Sequence, residues 1–268
     1  MIKLEGNIKK MKVVYNSIIE YSMSLSDQIL PLNEHIGANI SLDWNGVINC
    51  VHCGNQTKKS FFQGFCYPCF IQAPQSSECI LKPELCQAHK GISRDMEWSK
   101  HHCLADHFVY LSLTSGIKVG VTRYTQIPTR WIDQGAIKAL KLAKTPNRYL
   151  AGMIEVKLKE FVSDRTSWQK MLKNDIDTGM NLNQYKTQLK DNLNDELSQY
   201  ILNDEVETLL CYPINEYPEK IKSINFDKVG QYQGKLTGIK GQYLYLDNQY
   251  VVNMRKYSGY YFKINIEN

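Results

Sequence analysis

No apolar run in the 268 residues approaches the eighteen needed to span a membrane, and the opening Met1-Ile2-Lys3-Leu4-Glu5 begins no secretory signal. These absences argue against a helical membrane protein and predict a cytoplasmic one. In a reducing compartment, eight cysteines suit metal better than disulfides. There is also no strong excess of one charge. The net +5 is modest, so composition alone does not mark a polyanion binder. With 43% hydrophobic and 22% charged residues, the chain has the make-up of a globular protein. Its length suits two domains, or one large domain with a metal-stapled insert.

Four of the cysteines form two Cys-x-x-Cys pairs, Cys50-Val51-His52-Cys53 and Cys66-Tyr67-Pro68-Cys69. Zn²⁺ takes four soft ligands tetrahedrally, and each pair offers two thiolates to one side of the metal. Gly54 lets the first turn close back on its sulfurs, and Pro68 stiffens the second. The pattern predicts a structural zinc ribbon. A four-thiolate site is coordinatively closed, so any chemistry lies elsewhere. Cys79, Cys86, His89 and Cys103 supply ligands of the right type for a second zinc, with His101, His102 and His107 in reserve. Their irregular spacing leaves buried apolar thiols as the competing reading. Cys211 stands alone and is expected in the core.

Charge is unevenly spread. Seven basic residues and one acid lie between Lys118 and Arg148, three lysines and eight acids between Lys173 and Glu207, and six basic residues and one acid between Lys228 and Lys263. The basic blocks suit a face for polyphosphate, and ordinary solvated surface is the alternative. Short alternating runs such as Lys12 to Tyr15 and Ile36 to Leu42 read as strands, with a turn at Asn45-Gly46. Phe108 to Leu111 and Lys118 to Val121 flank Thr114-Ser115-Gly116 as a hairpin. A helix is expected over about 128–136 with Pro128 in its first turn, then a strand over 137–143. Asn147 is the N-cap of a further helix whose Ala151, Ile154, Leu158 and Phe161 share a face. Leucines 189, 193 and 197 mark a longer acidic helical stretch. From Phe226 onward, five glycines and short tyrosine-rich strands suggest a small barrel.

Taken whole, the chain resembles an uncharacterised bacterial family, "domain of unknown function 2797". The resemblance rests on the Cys-x-x-Cys-Gly at Cys50, the run from Lys59 to Phe70, Pro83-Glu84-Leu85-Cys86, Lys118-Val119-Gly120-Val121-Thr122-Arg123, and Arg130 to Ala136. More distantly, residues 108 to about 174 resemble the GIY-YIG nuclease superfamily, in particular its phage-type members, in their order of hairpin, helix, strand and helix. Val109-Tyr110 stands at the first motif and Lys118-Val119-Gly120 at the second. Arg130 opens the following helix, and Glu155 matches the metal-binding glutamate. Lys118 replaces the second motif's tyrosine, which leaves room for a domain that binds without cutting.

The residue pattern and the resemblance together predict an α+β protein, with a zinc-binding segment at 49–106 read from its cysteines and a GIY-YIG-like α/β core with a small antiparallel sheet at 107–178 implied by the resemblance. Around them lie a β segment at 1–48, an acidic helical segment at 179–224 and a small β unit at 225–268. Tyr110, Lys118, Arg130 and Glu155 would be catalytic, with Glu155, water and a phosphate oxygen holding Mg²⁺ or Mn²⁺. Gly120, Arg123, Lys141 and Arg148 would meet nucleic acid. Each residue has a plainer role open to it: a strand tyrosine, an Arg130–Asp133 pair, solvated charge at Glu155. In the tail, Tyr232, Tyr243, Tyr245, Tyr250, Tyr257, Tyr260 and Tyr261 alternate with Lys235, Lys240, Arg255 and Lys256, a mixture able to stack bases and track phosphates, or simply to form strands. The sequence therefore predicts a zinc-containing nucleic-acid-binding protein, with phosphodiester cleavage as one activity. Binding without cleavage, and a zinc-stabilised scaffold for protein partners, are the alternatives.

Overall fold

The structure, a computed structural model, describes residues 1–163, 165–203 and 205–267. Asp204, one of the acids counted above, lies outside them. Along the chain come β1 (Ile2–Asn7), β2 (Lys12–Val14), β3 (Glu20–Leu25), β4 (Gln28–Pro31), β5 (Asn39–Ile48) and α1 (Tyr67–Gln72). The middle contains α2 (Met96–His102), β6 (His107–Leu113), β7 (Ile117–Arg123), α3 (Thr129–Asp133), β8 (Lys138–Thr145), α4 (Arg148–Leu158), α5 (Trp168–Lys173), α6 (Leu182–Lys190), α7 (Asp195–Ser198) and β9 (Thr208–Leu209). The chain closes with β10 (Lys222–Ser223), α8 (Phe226–Val229), β11 (Gln231–Lys240), β12 (Tyr243–Leu246), β13 (Tyr250–Asn253) and β14 (Tyr260–Glu267). None of the described helices is long and apolar enough to cross a membrane.

The chain divides into two compact units. The first joins Met1–Ile71 to Cys211–Asn268, and the second is Gln72–Leu210. The two ends, read separately as 1–48 and 225–268, thus share one unit. In it, a seven-stranded sheet runs β1-β14-β5-β11-β12-β13-β10, beside a three-stranded sheet β2-β3-β4. β14 shows why these residues form a strand. Tyr260, Phe262, Ile264 and Ile266 are buried while Tyr261, Lys263, Asn265 and Glu267 are not, a period of two along the strand. Edge strands β1 and β10 are not bonded to one another, so the expected small barrel is instead part of an open sheet. The first residues of the chain pair with its last, Ile2 opposite Ile266, and short-range turn signals carry no trace of such distant partners. Asn45-Gly46 is likewise not a chain reversal. It lies inside β5, where the register with β14 shifts between Trp44 and Ile48 and Gly46 takes a φ of +84°.

The second unit is built on the antiparallel sheet β7-β6-β8-β9. Val109, Leu111, Leu113 and Val119 pack with Leu140 and Leu142, the α4 residues Ala151, Ile154 and Leu158, and Leu182, Leu189 and Leu197 of α6 and α7. Asn147 caps α4 by accepting from the Leu150 amide at 2.9 Å. The helix ends at Leu158, however, so Phe161 leaves the apolar stripe and is 54% exposed. The expected long acidic helix is two short ones, α6 and α7, each with an asparagine N-cap.

Candidate functional site

Cys50, Cys53, Cys66 and Cys69 converge in the first unit, their four sulfurs all within 4.8 Å of one another. Four sulfurs at a Zn–S distance of about 2.3 Å in a tetrahedron would stand about 3.8 Å apart. Cys53 and Cys66 Sγ are 3.8 Å apart, far beyond a disulfide bond. Backbone geometry prepares the site. The Gly54 amide donates to the Cys50 carbonyl, the amides of Phe61 and Phe65 donate to each other's carbonyls, and the Cys66 amide reaches Cys50 Sγ at 3.2 Å. Desolvation opposes a thiolate at Cys50, but the neighbouring amides of Cys53, Cys66 and His52 outweigh it and bring the group down to about 6. The donor set fits zinc, and it is coordinatively complete.

The second unit gathers Cys79, Cys86 and Cys103 in the same way, within 4.8 Å of one another. His89, expected as the fourth ligand, stands outside this group with its ring stacked on Tyr149 at 4.4 Å. His102 stacks on Trp98 and bonds the Trp98 carbonyl. His107 is buried and bonds the Ala105 carbonyl at 2.7 Å through Nδ1. Burial brings its pKa down to about 4, and the positive charges of Arg148 and Arg123 add to the effect. Cys211 is exposed, not in the core.

Tyr110, Gly120, Arg130 and Glu155 belong to β6, β7, α3 and α4 of the second unit, and Arg130 and Glu155 both act on the Tyr110 hydroxyl. Tyr110 and Gly120 are direct cross-strand partners in β6 and β7. A Cβ on Gly120 would lie 2.6 Å from the Tyr110 hydroxyl, so the ring crosses a place where only glycine fits. The ring also meets Trp131 edge-on at 6.1 Å. The Tyr110 hydroxyl is 2.8 Å from the Gln134 amide. When the amide is oriented to satisfy both neighbours, its nitrogen donates to the hydroxyl and its oxygen accepts from Arg130 Nε and Nη2, each at 3.2 Å. Gln134 was not among the residues singled out from the sequence, although its position four residues after Arg130 puts it one turn on, at the C-cap of α3. Desolvation raises the Tyr110 pKa, Glu155 adds to the rise, and Arg130 opposes it. Glu155 pairs with Lys159 at 3.5 Å, one turn along. Lys118 lies opposite Ser112, two pairs beyond Tyr110 and Gly120, and is buried.

The residues expected to meet nucleic acid divide differently. Arg148 is buried, and its guanidinium donates to the His102 carbonyl at 3.0 Å and the Cys79 carbonyl at 3.3 Å, with Cys79 Sγ at 3.7 Å. It therefore works inside the unit rather than at a phosphate. Lys141 pairs with Glu205 at 3.1 Å, and along the same strand Lys138 pairs with Glu207 at 3.6 Å and Lys144 with Asp106 at 2.8 Å. The acidic block thus neutralises part of the basic one. Arg123 is half-buried, and burial lowers its pKa. In the tail, Tyr245, Tyr257 and Tyr260 are core residues, and buried Lys240 lies over the rings of Tyr212 and Tyr217 at 5.3 and 5.0 Å. None of these four can meet a base or a phosphate at the surface.

One protein-family model matches residues 37–262, under the description "Protein of unknown function (DUF2797)". Neither a curated protein nor a solved structure matches.

Proposed function

The chain belongs to the DUF2797 family, and from that membership, which brings no activity with it, we propose that the second unit is a nucleic-acid-binding domain with a metal-dependent phosphodiesterase centre of GIY-YIG type at Tyr110, Arg130 and Glu155. The observation that carries this reading is the junction of Tyr110, Gln134 and Arg130 beside Glu155, formed by groups 45 residues apart in sequence on a hairpin and the two helices that follow it. A phosphodiester needs a cation-binding carboxylate, a positive group for the phosphoryl oxygens and a group that orients water. Glu155 supplies the first. As the single protein ligand, with water and phosphate oxygens completing the shell, it suits a hard cation such as Mg²⁺ or Mn²⁺. Arg130 supplies the second.

Tyr110 supplies the third as a neutral hydroxyl. Its burial holds the proton on, so it orients water by hydrogen bonding and does not serve as the base at neutral pH. Gln134 holds Arg130 and Tyr110 in register. Lys118, in place of the second motif's tyrosine, adds positive charge on the same edge of the hairpin. The test is cleavage of single- and double-stranded DNA and RNA by the zinc-loaded protein with Mg²⁺ or Mn²⁺. Glu155→Ala should lower the rate at least ~100-fold, and Arg130→Ala by a similar factor. Unchanged cleavage in Glu155→Ala would overturn the assignment.

A second reading rests on a specific observation. Tyr110 is fully buried and Glu155 only 7% exposed, which suits a domain that binds without cutting. That reading requires wild-type protein to bind nucleic acid with the salt dependence of counterion release while cleaving nothing under any divalent cation.

A further inference from the structure

The second cysteine group has a place in the fold that buried apolar thiols would not need. Cys79, Cys86 and Cys103 bring their sulfurs within 4.8 Å of one another, and the three residues border a cavity of about 390 Å³. The segment between the first two, a 3-10 turn at Pro83–Leu85, lies against α4. At Gly152 the approach is close enough that a Cβ would stand 2.2 Å from the Glu84 amide nitrogen and 2.5 Å from the Pro83 carbonyl carbon. One turn earlier, Arg148 opens α4 and donates to the Cys79 carbonyl, with its guanidinium also beside the Cys79 sulfur. The Arg148 amide donates to the Cys103 carbonyl at 2.8 Å. Arg148, Gly152 and Glu155 follow one another at i, i+4 and i+7, a single stripe along the helix.

We propose that Cys79, Cys86 and Cys103 hold a second thiophilic divalent cation, of which zinc is the type, and that this ion fixes the N-terminal end of α4, the helix that carries Glu155. Three thiolates on a divalent ion leave one net negative charge, and Arg148 stands where it offsets that charge. The ion ties together three points of chain 7 and 17 residues apart in sequence, which 3-10 turns alone would hold weakly. The glycine at 152 then lets the tied loop lie directly on the helix backbone. The metal thereby becomes a structural part of α4. The site itself stands independently of the nuclease reading; only its bearing on cleavage rests on it.

The test uses the whole chain. Native mass spectrometry of zinc-loaded protein should show two zinc ions per chain, falling to one in Cys103→Ser. In that variant the α4 amides of residues 150–158 should exchange at least tenfold faster with deuterium, while the β11–β14 amides keep wild-type rates. A single zinc in the wild type, or a variant retaining both, overturns the site. Loss of one zinc with α4 exchange unchanged overturns the link to α4. If the variant does not fold, wild-type protein is treated with a zinc chelator and alkylated. Cys79, Cys86 and Cys103 should then become reactive together, in step with loss of α4 protection, and indifference of the three to chelator again overturns the site. These readouts require no nucleic-acid cleavage, so a failed nuclease assay leaves them intact.

Discussion

Gly120 shows how a single absent side chain shapes the candidate site. Its backbone is an ordinary strand, so the reason for glycine is the Tyr110 ring above it, with the hydroxyl carbon only 2.7 Å from where a Cβ would stand. Gly120→Ala should therefore cost about 1–3 kcal/mol in urea unfolding, and the cost should shrink when Tyr110 is also alanine. Additivity of the two changes would show that the clash lies elsewhere. His107 makes a separate prediction. It is buried neutral, and its pKa falls from 6.5 to about 4. The unfolded chain therefore binds a proton that the folded chain refuses. Its contribution is fully present above pH 6.5 and is lost as pH falls from 6.5 toward 4, by up to about 3 kcal/mol. Stability of His107→Gln, measured across that window, should lack this part of the acid limb. An identical limb in both proteins would remove His107 as its source.

At the level of elements, β8 and the acidic segment act on each other. Lys138 and Lys141 face Glu207 and Glu205 across partly exposed ion pairs, which contribute less than about 1 kcal/mol each to folding. Their larger effect is on the field that a polyanion meets. Glu205→Gln together with Glu207→Gln should leave thermal stability nearly unchanged. The double variant should bind duplex nucleic acid more tightly, and its log affinity should fall more steeply with log salt by roughly 2 units. An unchanged slope in fluorescence anisotropy would exclude β8 as the nucleic-acid face. Sequence legibility varied with range. The β6–β7 hairpin, β8 and the Asn147 cap were readable because their signals lie within a few residues. The extent of α4, the break between α6 and α7, and the bulge at Gly46 depend on packing that the local pattern does not encode.

For the molecule as a whole, each unit carries its own cysteine group. With zinc bound, the first would stabilise residues 49–71, a segment whose apolar side chains are poorly buried, with Phe61, Phe62 and Phe70 half-buried and Val51, Tyr67 and Ile71 exposed. Cys50→Ser should lose one zinc equivalent and the amide protection of that segment, while β6, β7 and β8 in the second unit exchange at wild-type rates. Loss of protection in both units would show that one metal supports the entire chain. Metal analysis and hydrogen exchange decide it.

By itself, the sequence determined the first cysteine group, which could hold zinc, because two Cys-x-x-Cys turns each present two sulfurs whatever surrounds them. It also determined the order of hairpin, helix, strand and helix that holds Tyr110, Arg130 and Glu155. Tertiary structure alone decided the rest. It joined the chain's two ends in an open sheet where a small barrel was expected, because β1 and β14 find each other across more than 250 residues. It turned Arg148 inward to Cys79, and it placed Tyr245, Tyr257, Tyr260 and Lys240 in the core. Residue type sets what a side chain can do. Burial and the charges around it set what it does, and both come from residues far away in the chain.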